Sequence, residues 1–128
     1  MSSAVLDASA LLALLNQEEG NEQVAELVAS GAAISAVNLS EVIAKLSLLG
    51  MSESLIREAV EPLGLEVVPF DIDSAYRTAL LLGPTKTLGL SLGDRACLAL
   101  AAQAGLSAVT ADRAWSEVRL DVSVRVIR

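Results

Sequence analysis

Short apolar runs alternate along this chain with longer amphipathic stretches, and the breaks between them fall at glycine, proline or a capping residue. Ala4-Val5-Leu6-Asp7 reads as a short buried strand, and residues 9–16 follow as a helix. Asn21–Ser30 is a second helix with Val24, Leu27 and Val28 on one face and Gly31 as its stop. Residues 32–36 (AAISA) form a second strand, and residues 37–49 a helix ended by Gly50. Ser52 starts a helix over residues 53–63, Gly64 ends it, and residues 65–68 are a third strand. The helix at residues 71–82 is closed by Gly83-Pro84, and residues 84–92 (PTKTLGLSL) read as a loop. Residues 94–104 are a strongly apolar helix ended by Gly105, and residues 106–110 a fourth strand. Residues 122–127 alternate apolar with polar and predict an edge strand.

Strands of four or five residues separated by helices predict a three-layer α/β/α fold with a short, mostly parallel central sheet. Composition supports this, since the chain is 53% hydrophobic yet has only Phe70, Tyr76 and Trp115 as aromatics. Ala, Leu and Val suit closely layered helices on a buried sheet. With 128 residues and no repeat, linker or low-complexity segment, residues 1–128 read as a single domain. In such sheets the ligand site lies beyond the carboxyl ends of the strands.

Absences narrow the chemistry. There is no histidine, which excludes a Ser-His-Asp triad and a histidine-bearing zinc site. Cys97 is the only cysteine, which excludes an intrachain disulfide and a cysteine-rich zinc site. Any metal ligands must therefore be oxygens, which suit magnesium, manganese or calcium. The apolar start has no basic segment before it, Asp7 interrupts it, and Asn16-Gln17-Glu18-Glu19 follows without a cleavage-like site. No stretch reaches the roughly 18 to 20 apolar residues of a membrane span. A cytoplasmic protein is expected.

Four acidic residues share one edge in this scheme: Asp7 at the end of strand one, Glu41 in the first turn of a helix, Asp94 beginning the apolar helix, and Asp112 two residues after strand four. Each has a local explanation. Asp7 can cap its helix, and Asn38-Leu39-Ser40-Glu41 and Ser91-Leu92-Gly93-Asp94 both fit a capping box. Asp112 fits an Asx turn. Together, though, four carboxylates on one edge repel and raise each other's pKa values, and a divalent cation relieves that cost. Ser9 and Thr110 are hydroxyls of a helix start and a turn, or hold a water bound to the metal. Cys97 and Trp115 read as packing residues, and Glu18, Glu19, Glu22 and Glu26 as a solvated face.

Four segments, VLDASALLALLNQEEG, AVNLSEVIAKL, LGLSLGDRACLALAAQAGL and AVTADRAW, together resemble a PIN-domain ribonuclease, specifically a VapC-type toxin of a type II toxin–antitoxin pair. The resemblance runs in order over nearly the whole chain. It implies a magnesium- or manganese-dependent endoribonuclease whose acidic residues map onto Asp7, Glu41 and Asp94, with Asp112 as the more variable fourth and Thr110 as the hydroxyl before it. It implies a homodimer silenced by a VapB-type antitoxin. Ala8 stands where many relatives carry Thr, so that hydroxyl has no role here.

Phosphodiester hydrolysis needs a nucleophile from water and stabilisation of phosphoryl charge, and carboxylate-held magnesium supplies both. Asp7 and Asp94 are assigned as principal ligands, Glu41 as ligand or base, and Asp112 as an outer or second-metal ligand. A net charge of −7 argues against an RNA substrate, but four of the sixteen acidic residues belong to the proposed site. Lys86, Arg95, Arg113 and Arg119 are candidate phosphate contacts. Two rivals are a haloacid-dehalogenase-type phosphatase, which needs a second Asp where Ser9 stands, and a non-catalytic PIN-like interaction module. The amphipathic segments 21–30 and 53–63 are candidate walls of an antitoxin groove.

Overall fold

The computed structural model describes residues 2–128. Five strands, β1 (Ala4–Leu6), β2 (Ala33–Ser35), β3 (Glu66–Val68), β4 (Ser107–Thr110) and β5 (Val124–Val126), form one sheet in the order β3-β2-β1-β4-β5. Every pairing is parallel, with Leu6 between Ile34 and Val109 and Val5 between Ala33 and Ala108. The edge strand expected at 122–127 is thus shorter and runs parallel, which makes the sheet wholly parallel.

Register divides the strands between two cores. Leu6 and Val109 pack with α1 (Ala8–Leu15) and α2 (Asn21–Ser30), while Ile34 meets α1, α3 (Ala36–Leu48) and α4 (Glu53–Val60). Val5, Ala33 and Ala108 face the other way, onto Cys97, Leu98 and Ala101 of α6 (Leu92–Ala104), with Trp115 in the same cluster. Helix α5 (Ile72–Leu80) packs outside α6. Three layers result. Both Cys97 and Trp115 are buried in the core, as their surroundings in the sequence predicted.

Several boundaries move for local reasons. Helix α3 is capped by Ser35, whose side chain accepts from the Val37 N–H, so Asn38 lies inside the helix and Glu41 in its second turn. The expected Asn38 capping box is therefore replaced by a cap three residues earlier, where β2 ends. The helix expected over 53–63 becomes α4 followed by a 3-10 turn, Glu61–Leu63, because Pro62 has no N–H for the α-helical ladder. Asp71 caps α5, accepting from the Ser74 N–H. The loop at 84–92 contains a single 3-10 turn, Lys86–Leu88, and α6 starts at Leu92 with the Ser91–Asp94 capping box formed in both directions. Among the described residues no helix is long and apolar enough to cross a membrane.

Candidate functional site

In this strand order the chain runs from β1 outward through β2 to β3, then returns beside β1 to begin β4. The carboxyl ends of β1 and β4 therefore flank a topological switch point, the place where open α/β sheets bind ligands. Asp7 leaves β1 there, and Thr110 ends β4 beside it.

Asp7 is 4% exposed, and three groups hold its carboxylate. The Ala10 N–H donates to Oδ1 at 2.8 Å, and Thr110 Oγ1 donates to Oδ2 at 2.6 Å. Ser9 Oγ lies 2.8 and 2.9 Å from the two oxygens. The two hydroxyls are themselves fixed, Ser9 by accepting from the Ala111 N–H and Thr110 by accepting from the Asp112 N–H. A carboxylate offers about four acceptor positions, and Ser9 has one hydrogen to give. Three are filled, and one remains for a ligand. Burial pushes the Asp7 carboxyl from 3.8 up to about 6, against the pull of those hydrogen bonds, and Asp94 adds to the rise.

Glu41 and Asp94 approach from α3 and α6. Asn38 Nδ2 donates to Glu41 Oε1 and to the Gly93 carbonyl, both at 3.0 Å. Asp94 Oδ2 accepts from the Ser91 N–H at 3.0 Å. Asp7, Asp94 and Glu41 all act electrostatically on the buried Cys97 thiol, and with its burial they push that thiol well above its usual range. Three acids thus lie within electrostatic reach of one residue of α6. Asp112 is exposed; its N–H donates to Thr110 Oγ1, and its carboxylate accepts from the Ala114 N–H in its own turn.

No salt bridge among the described residues involves any of these four acids. The donor set is all oxygen and uncompensated, which fits a hard divalent cation. Among the described residues, no three acidic or thiol side chains converge closely enough to hold an ion directly. Magnesium does not require that, since it keeps several waters and binds through one or two carboxylates.

Three of the four cations named from the sequence have other partners. Arg95 donates to the Thr78 carbonyl on α5, and Arg113 to the Arg128 carbonyl. Arg119 pairs with Glu117 at 3.7 Å, and Lys86 lies exposed in its 3-10 turn. Lys45 and Arg128 instead line a cleft of about 490 Å³ with Ser9, Leu12, Asn16 and Glu18, where Arg128 pairs with Glu18 at 3.1 Å. Lys45 follows Glu41 by four residues, so the helical repeat itself carries the signal. Asn38 is the other residue missed, because its sequence context imitates a cap.

The sequence matches the family described as the PIN domain over residues 4–120. Solved structures share the fold. A toxin–antitoxin complex from Klebsiella pneumoniae is 22% identical with a TM-score of 0.70, covering 91% of this chain and 92% of that one. DNA-bound VapBC from Salmonella typhimurium is 21% identical with a TM-score of 0.71, covering 100% of both chains. FitAcB from Neisseria gonorrhoeae is 25% identical with a TM-score of 0.69, covering 95% and 96%. No curated protein matches the chain.

Proposed function

Because the chain belongs to the PIN domain family, we propose that it is a divalent-metal-dependent endoribonuclease, the VapC-type toxin of a toxin–antitoxin pair, acting in the cytoplasm as one domain. The observation that carries this reading is the buried Asp7 carboxylate, held by Ser9, Thr110 and Ala10 and left with one open acceptor position and no cationic partner among the described residues. Asp7, Asp94 and Glu41 are the residues that would hold magnesium or manganese, with Asp112 an outer ligand. The ion would lower the pKa of a bound water and offset charge on the phosphoryl oxygens.

The chain's own groups have separate tasks. Ser9 and Thr110 fix the rotamer of Asp7, so its open lone pair points one way. Glu41, held by the Asn38 amide, takes a proton from the attacking water. Lys45 along the cleft beside Ser9 supports a contact to an RNA phosphate on one side of the scissile bond. Arg95 and Arg113 support the site indirectly, by tying α6 to α5 and the turn after β4 to the C-terminal segment.

Two partners follow from the same reading. The neighbours in Klebsiella, Salmonella and Neisseria are complexes of toxin–antitoxin type, which supports a cognate VapB-type antitoxin here. A groove of about 590 Å³ between α3 and α4, lined by Leu39, Ile43, Ile56 and Val60 together with Glu53, Arg57 and Glu61, is a seat for an amphipathic helix of that antitoxin. A homodimer is the second, and its candidate surface is the exposed face of α5.

Purified protein is expected to cleave a structured RNA with magnesium or manganese and to stop on chelation. Asp7→Asn and Asp94→Asn are expected to abolish cleavage, and to lose the rise in melting temperature that millimolar metal gives the parent. If both variants cleave like the parent and respond to metal alike, these acids are only caps.

A further inference from the structure

Asn38 is 1% exposed and lies in the first turn of α3, where that helix meets α6. Its amide has two hydrogens. One goes to Glu41 Oε1 and the other to the Gly93 carbonyl, each at 3.0 Å. One side chain therefore joins a carboxylate of α3 to the residue immediately before Asp94 on α6. Without that tie a partly exposed glutamate samples many rotamers, and ordering it costs conformational entropy.

Gly93 completes the arrangement. It is buried in the first turn of α6, and a methyl group there would overlap the Glu41 carboxylate. Glycine inside a helix is less favourable than alanine, so helix propensity opposes this residue, and any larger one there would displace the Glu41 carboxylate from its place. Asn38 carries a cost of its own, because its Oδ1 is buried with no partner among the described residues. An apolar side chain would avoid that cost and lose the donors. Two locally unfavourable residues meet at one carboxylate.

We propose that Asn38 and Gly93 are positioning residues for Glu41, together fixing its carboxylate beside Asp94 so that the two present a shared cation site. This rests on the reading of Glu41 and Asp94 as cation-holding residues. Asn38 donates from below the carboxylate, and Gly93 leaves the room in which it lies. Neither needs to touch the ion or the substrate.

The test measures manganese affinity from the dependence of melting temperature on manganese chloride, with no RNA present. Asn38→Ala and Gly93→Ala are each expected to weaken apparent affinity about tenfold or more, the usual scale for removing a residue that orients a metal ligand. Each is then made in a Glu41→Ala background, where neither is expected to weaken affinity further. Parent-like affinity in both single variants overturns the proposal. So does an equal loss with or without Glu41, which assigns the effect to general damage. If Asn38→Ala does not fold, Gly93→Ala carries the same comparison alone. A parent that shows no manganese response at all overturns the cation site first, and this proposal with it.

Discussion

Asp7 sits where the chain gains least from a charge and most from a ligand. Its carboxyl titrates near 3.8 in the unfolded chain and at about 6 in the fold. Between those values the folded state binds more protons, so stability falls as pH rises through this window and levels off above it. The rise corresponds to about 3 kcal/mol disfavouring the ionised fold at neutral pH. In chelator at pH 8, Asp7→Asn is therefore expected to melt several degrees above the parent, with the advantage gone by about pH 4. Thermal melts across that range check it; a gap independent of pH would trace the effect to altered hydrogen bonding instead of charge. Asp7 was legible because a lone carboxylate stands out in an apolar run. Asn38 was not, because the segment NLSE fits the spacing of a capping box as well as the true cap, Ser35, fits its own. Which one caps is decided by where β2 stops pairing with β1, a long-range fact that no local pattern carries.

Helix α5 shows the same limit one scale up. Periodicity located it to within two residues, but could not say which face is covered, since both faces carry apolar side chains. Its inner side packs on α6, while Ile72, Tyr76 and Leu80 remain 77%, 69% and 73% exposed along one stripe. Ile72 and Leu80 lie four residues either side of Tyr76. Two antiparallel copies related by a twofold at Tyr76 would set each Ile72 against the partner helix at position 80, which makes the stripe self-complementary. Tyr76→Asp is expected to convert a dimer to a monomer in sedimentation velocity while leaving the fold intact by circular dichroism. A parent that sediments as a monomer at high concentration would remove this stripe from the list of contacts between copies.

At the scale of the whole molecule, the alternation of strand and helix was enough to predict a mostly parallel sheet, because each βα unit allows few solutions. The direction of β5 was not legible. It depends on how the 3-10 turn Arg113–Glu117 carries the chain around buried Trp115, and an alternating six-residue segment fits either direction. The Asn38 link between Glu41 and the Gly93 carbonyl was likewise hidden, since it depends on α3 meeting the first turn of α6. Cys97, meanwhile, is the molecule's one thiol and is completely buried. An alkylating reagent can reach it only when α6 lifts from the sheet, so the labelling rate is a clock for that opening. A cation spanning Asp7 and Asp94 would pin α6 to the end of β1 and slow the clock, which mass spectrometry of iodoacetamide-treated protein would read directly. A rate indifferent to manganese would mean that the reagent enters without parting the acids. The sulfur needs no catalytic task to be useful: it reports, from underneath, whether the edge above it is shut.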